Sequence, residues 1–275
     1  MERFLLWISS IVYVLYVFLS HDVHWSRLGP GVDHVLARRD LFTPEVIDRV
    51  LREGFNPYFN VPDIIDIEER YGVKSTFFFR PLYDDYVSAW CYEDVIRDLV
   101  AGGWEVAVCL NSASSLERVI REKRMIERIS RVEVVGCRVY NLSIGIDDYW
   151  RLRLAGLRYD SSIKMIKDFI DASDMGFRWI SDVLVFPVTI MDFNLFMHMG
   201  VSESDVFDVM MRAVNDALRL DKRVITILWH SCSLKMIGGR MYDKILEALI
   251  AMDRVKVVRG MDLLKAINAR QLQRK

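Results

Sequence analysis

An excess of either charge is missing from this chain of 275 residues, in which 37 Lys and Arg face 38 Asp and Glu. That balance removes a global electrostatic attraction to nucleic acid or to an anionic membrane. Cysteine is scarce as well. The four present, Cys91, Cys109, Cys137 and Cys232, stand far apart with no Cys-x-x-Cys spacing, so neither a zinc ribbon nor a dithiol redox pair is indicated and a reduced, cytoplasmic protein is the expectation. Fixed-period repeats, low-complexity tracts and Ser/Gly-rich linkers are absent. So are a Walker loop, a Gly-x-Gly-x-x-Gly fingerprint and a Gly-x-Ser-x-Gly elbow, which leaves nucleotide and serine-hydrolase readings without support.

No apolar run is as long as a membrane span needs to be. Phe4 to Leu19 is interrupted only by Ser9 and Ser10 but falls short of the ~20 residues of a typical spanning helix. Cleavage of this run as a signal peptide would remove the strand that leads to Asp22. The reading is therefore an apolar extension over Met1 to Val12, followed by one domain over 13–275 whose first core strand is Tyr13 to Ser20. Membrane contact through the extension, as an uncleaved anchor, is the less favoured alternative.

The hydrophobic fraction of 52% is ample for one large core. Strand and helix signals alternate along it. Thr43-Pro-Glu opens a helix to about Arg52, Pro62 opens another that Gly72 ends, and Lys74 to Phe79 is a strand. Tyr92 to Ala101 (helix), Trp104 to Cys109 (strand), a charged helix capped by Ser114 or Ser115, and Val132 to Val135 (strand) continue the pattern. Asp147 caps a helix to Ala155, Val183 to Val188 is a buried strand, and Ser202 starts a long helix to about Leu220. Val224 to Trp229, a helix from Asp243 to Met252, Val255 to Val258 and a last helix from Met261 complete it. Such alternation implies a parallel sheet covered by helices, a closed or nearly closed barrel or else an open doubly wound sheet. The charged helix, Glu117 to Arg131, mixes acids with bases around Leu116, Val119, Ile120, Ile126 and Ile129 and reads as a solvated helix face.

Two apolar strands end on ionisable residues: Val17-Phe-Leu-Ser-His-Asp-Val-His24 and Ile225-Thr-Ile-Leu-Trp-His230. Between them runs Asn56-Pro-Tyr-Phe-Asn-Val-Pro-Asp-Ile-Ile-Asp-Ile-Glu-Glu-Arg-Tyr-Gly-Val-Lys-Ser-Thr-Phe-Phe-Phe79. Together these resemble the polysaccharide deacetylase (NodB homology) family, carbohydrate esterase family four, over about residues 14 to 260. The resemblance implies an α/β fold of the distorted (β/α)7-barrel type and hydrolysis of amide bonds in N-acetylated sugars or related small molecules. It places Asp22 at the general-base position, His230 in the Leu-Trp-His segment of the general acid, and Arg138 of Gly136-Cys-Arg138 as the orienter of the carboxylate.

The metal positions depart from the family. His24 replaces the ligating Asp, Cys109 replaces a His, and Ala113, four residues on, offers no donor atom. His24 and Cys109 are both chemically able to hold zinc, whereas a free Cys at the end of a buried strand is commonly just a small hydrophobe. Two functions thus stay open: a hydrolase with zinc on His24 and Cys109, or a metal-free degenerate homologue serving as a glycan-binding or scaffolding protein. A cluster of His21, His24, Cys109, His230 and Cys232 at one barrel mouth is a further expectation. Tyr159-Asp-Ser-Ser162 and Thr189-Ile-Met-Asp192 resemble family segments with structural roles, and Met197 and His198 read as core or rim.

Overall fold

The computed structural model describes residues 14–164 and 167–273, with side chains through 269. Met1 to Val12, with the expectation of an apolar extension or membrane contact, and Tyr13 lie outside them. Among the described residues ten strands are formed: β1 (Leu15–Val23), β2 (Thr76–Phe79), β3 (Glu105–Leu110), β4 (Gly136–Val139), β5 (Tyr159–Asp160), β6 (Arg178–Ile180), β7 (Val183–Val185), β8 (Ile190–Met191), β9 (Val224–Leu228) and β10 (Val255–Val258). The helices are α1 (Val32–Leu36), α2 (Pro44–Glu53), α3 (Val61–Arg70), α4 (Glu93–Ala101), α5 (Leu116–Ser130), α6 (Tyr149–Leu154), α7 (Glu203–Arg219), α8 (Tyr242–Ile250) and α9 (Gly260–Gln273).

The strands join in the order β6-β7-β5-β4-β3-β2-β1-β9-β8, with β10 also on β1, and every pairing is parallel except β6 with β7. The result is a curled sheet wrapped by helices, the distorted (β/α) barrel that the alternation implied, open between β6 and β8 among the described residues. Two sides of the sheet are apolar for different reasons. Val17, Leu19, Phe77, Phe79, Val106 and Val108 pack outward under the helices, while Phe18, Phe78, Ala107, Cys109, Tyr159 and Phe186 fill the inside of the curl. The period-2 alternation of a strand assigns each residue to one side or the other.

Several boundaries differ from the sequence reading. β1 runs on past Ser20 to Val23, because Ser20 to Val23 pairs with β2; Asp22 is therefore a strand residue, not a loop residue. The strand expected at Val132–Val135 is instead β4, Gly136–Val139, paired with β3 at Val108↔Cys137 and Cys109↔Arg138. Val183–Val188 shortens to β7, and the cap expected at Asp147 falls inside a short 3-10 turn that precedes α6. Ser115 is the residue that caps the charged helix, accepting from the Arg118 N–H. No helix of the described residues is long and apolar enough to cross a membrane.

Candidate active site

Parallel strands of a barrel deliver side chains at their C-terminal ends, and here those ends supply one polar cluster. Asp22 and His24 come from the end of β1, Arg80 from just after β2, Arg138 from within β4, Ser161 after β5, Asp192 after β8 and His230 after β9. Ser20 and Asp22 share the inner side of β1, two residues apart. His21, on the opposite side, turns away.

Arg138 is fully buried and is the organising cation. It donates to Asp22 Oδ1 at 2.6 Å, to the Ser161 carbonyl at 2.7 Å, to Ser161 Oγ at 2.8 Å and to Ser20 Oγ at 3.0 Å, and its guanidinium lies 4.3 Å from the Phe78 ring centre. Burial pushes the Asp22 carboxyl up, but the Arg138 charge, His24 and His230 outweigh it and hold Asp22 well below the usual carboxylate range.

The imidazole side is built similarly. Asp192 Oδ1 lies 2.6 Å from His230 Nδ1, and Asp192 Oδ2 accepts from the His230 backbone N–H at 2.8 Å and from Ser233 Oγ. Burial disfavours the charged ring, yet Asp192 more than offsets it and raises the His230 pKa above its ordinary value. With Nδ1 occupied by Asp192, Nε2 is the free ring nitrogen. Thr189-Ile-Met-Asp192, read as structural from sequence, thus carries the residue that sets the state of His230. The available signal was an acid directly following a short buried strand.

His24 stands between the two pairs. Its Nε2 is 3.1 Å from Asp22 Oδ2, without the alignment of a good hydrogen bond, and its ring centre is 4.8 Å from that of His230. Burial, with His230 and Arg80 adding to it, lowers its pKa against the pull of Asp22. Tyr140 meets the His24 ring edge-on, and Arg80, stacked on Tyr140 at 3.7 Å, donates to Asp84 and Asn111 and reaches the His24 carbonyl at 3.4 Å. Arg80 and Tyr140 were not singled out from sequence, because only the fold brings the ends of β2 and β4 beside that of β1.

Asp22, His24 and His230 offer one carboxylate oxygen and two ring nitrogens, all within 4.8 Å of one another, a group able to hold a cation. Cys109 does not join it. Its side chain is fully buried in the apolar interior with Phe78 and Phe186 and is not among the donors that gather, and burial pushes the thiol well above its ordinary pKa. Ala113 is buried and has no donor. The residues present therefore do not fit a zinc ion at the expected positions 24, 109 and 113, and two of the three donors that do gather are the expected base and acid themselves.

The wider soft cluster is not formed. His21 points outward, 2.7 Å from the Trp229 carbonyl and 2.8 Å from buried Glu68, which also accepts from Ser75, Trp104 and Tyr242. Strand alternation forces this, since a residue next to Asp22 must face the other side. Cys232 packs in a separate apolar cluster with Val35, Phe42 and Met236. Met197 is exposed rather than core. The Tyr159–Ser162 segment serves Arg138 through Ser161, while Asp160 accepts from Ser162 and Tyr149.

No family sequence model matches the chain, and no curated protein does. Solved structures do match. A Mycobacterium smegmatis protein assigned as a polysaccharide deacetylase superposes with a TM-score of 0.68 at 19% identity, covering 94% of this chain and 92% of that one. The Puue allantoinase gives 0.65 at 15%, covering 93% and 90%. A mutant of a CE4 family pseudoenzyme of Bacillus anthracis with restored enzymatic activity gives 0.54 at 14%, covering 92% and 68%. The chain thus has the fold of the polysaccharide deacetylases and of CE4 family members both active and inactive.

Proposed function

We propose that this chain is a deacetylase-like hydrolase of a non-peptide amide bond in an N-acetylated sugar, working by acid–base transfer between Asp22 and His230. One observation carries the reading: the buried Asp22–Arg138 and Asp192–His230 pairs converge on His24 at the C-terminal ends of the strands. Buried ion pairs stabilise a fold little compared with apolar packing, so two of them converging at the strand ends mark a site rather than a scaffold.

Arg138 keeps Asp22 ionised and fixes its orientation, leaving Oδ2 for the attacking water. As the water oxygen bonds to the amide carbon, its proton goes to Asp22. A carboxylate held this low is a weak base alone, and His24 Nε2, 3.1 Å away, is the neighbour to which the proton passes. His230, kept protonated by Asp192, gives the Nε2 proton to the amide nitrogen as the C–N bond breaks, releasing a carboxylic acid and an amine. A zinc ion, which would lower the pKa of a bound water, has only Asp22, His24 and His230 as donors here, so it would occupy the groups that move protons.

Acetate release from a chitin oligosaccharide in the presence of chelator tests this. Turnover that falls at least about 100-fold in Asp22→Asn and in His230→Gln is expected; no release above the uncatalysed rate, or release indifferent to both changes, refutes it. The second reading, a glycan-binding homologue that has lost catalysis, is favoured by Ala113 and by the protonated, buried Cys109, and gains if the wild type binds the oligosaccharide without cleaving it.

A further inference from the structure

Helix α5 departs from the other charged helices of the fold. In α2, α4 and α7 arginines pair with acids one turn away: Arg49 with Glu53, Arg52 with Asp48, Arg97 with Glu93 and Arg219 with Asp216. On α5, Arg118, Arg121, Arg124 and Arg128 make no ion pair among the described residues. Two of the acids of α5 are engaged elsewhere. Glu122 is buried and accepts from the Asn111 N–H, and Glu127 takes Lys123 and the Val134 N–H. The acid–base mixture of the sequence, already richer in bases than acids, therefore leaves a row of guanidinium groups without a direct ion pair in the fold, Arg118 and Arg121 feeling only the buried Glu122 at longer range.

That row leads toward Arg80, the neighbour of His24. A groove of about 590 Å³ is lined by Arg80, Asp84, Tyr86, Asn111, Arg118 and Arg121 among others, and a second of about 450 Å³ by Arg121, Arg124 and Arg128 with Leu116, Glu117 and Ile120. Arg121 belongs to both, and Arg80 links the first to His24 and Tyr140. Arg118 to Arg128 spans about 15 Å along the helix axis. At the near end Tyr86 is 87% exposed and sits at φ +63°, a left-handed backbone that a tyrosine rarely adopts. Its ring is a free flat surface beside the guanidinium groups.

We infer that α5 and the Tyr86 turn form an extended subsite for an acidic glycan chain, one carrying sugar carboxylates as well as the N-acetyl group to be cleaved. The guanidinium row takes the carboxylates and the tyrosine ring takes a sugar face. This rests on the amide-hydrolase reading only for the direction of the chain, which leads from the row past Arg80 toward His24. A nucleic acid would also meet the charge, but its path would end at an acid–base site for which it has no amide of this kind.

Calorimetry on the full chain with three probes decides it: a hyaluronan hexasaccharide, which alternates carboxylate and N-acetyl sugars, a chitin hexasaccharide, which is N-acetylated and neutral, and a hexanucleotide. Hyaluronan should bind at least about tenfold tighter than chitin at low salt, and the preference should shrink at high salt. The double changes Arg118→Glu/Arg121→Glu and Arg124→Glu/Arg128→Glu should each cost hyaluronan roughly tenfold and leave chitin binding unchanged. Equal affinity for the two glycans, indifference to both charge reversals, or tighter binding of the hexanucleotide overturns the inference. Binding needs no turnover, so failure of acetate release in the assay above leaves this result standing, and chitin hydrolysis without a hyaluronan preference removes this inference alone.

Discussion

Arg138→Met tests the centre of the site most directly. The wild-type guanidinium has no exposed surface and satisfies Asp22, Ser20 Oγ and both oxygen atoms of Ser161. Methionine fills the space over Phe78 but leaves Asp22 as a buried charge without its strongest partner. Breaking a buried pair from one side costs about 3–5 kcal/mol, a large fraction of the roughly 5–15 kcal/mol by which domains are stable; for a chain of this size it should lower Tm by about 10 °C. The double variant Arg138→Met/Asp22→Leu removes both charges and should recover most of that loss.

The pH dependence carries the sign. In the wild type the folded pKa of Asp22 lies below its unfolded value, so its contribution is present above about pH 4 and fades only as pH falls toward that depressed value. In Arg138→Met burial dominates, the folded pKa rises above the unfolded one, and stability is lost as pH climbs from about 4 through the raised value. The gap between the two stability curves should therefore be widest at neutrality and narrow steadily as pH falls, through about pH 4 and on toward the depressed Asp22 value. Urea unfolding followed across pH measures both. A loss under about 1 kcal/mol at pH 7, or a double variant no more stable than the single one, would refute the argument that this pair is a dry, mutually dependent unit.

Asp192→Asn should drop the His230 pKa below its wild-type value, seen by NMR titration of the ring, because burial is then opposed only by the Asp22 charge; an unchanged value would show that Asp192 does not control the ring. Zinc added to the purified protein should inhibit amide hydrolysis rather than activate it, with His24→Ala weakening the inhibition, and activation by zinc would show that Asp22 and His230 are not both proton carriers. The combined change His24→Asp, Cys109→His and Ala113→His should raise zinc affinity by orders of magnitude in calorimetry; a folded triple variant that binds no better would mean that the ends of β1 and β3 do not face one metal position. Cys109 should resist alkylation in the native state and react only on unfolding, as its full burial requires.

The sequence by itself determined the class of the fold and which ionisable residues stand at two strand ends. Alternating apolar strands and capped helices can bury their faces in few ways other than a helix-covered parallel sheet, and Asp22, Arg138 and His230 were visible because the motifs around them are local. The replaced metal positions were visible for the same reason, since Ala113 lacks a donor in any fold. What only the tertiary structure decided is pairing across distant elements. Asp192 reaches His230 over 38 residues, and Arg138 reaches Asp22 over 116, separations that carry no periodic signal. Strand register then placed His21 on the opposite side of β1 from Asp22, which a list of nearby histidines could not foresee. The charge of α5 shows the same limit: acids are interspersed with bases in the sequence, and only the burial of Glu122 and the engagement of Glu127 decide which charges face water.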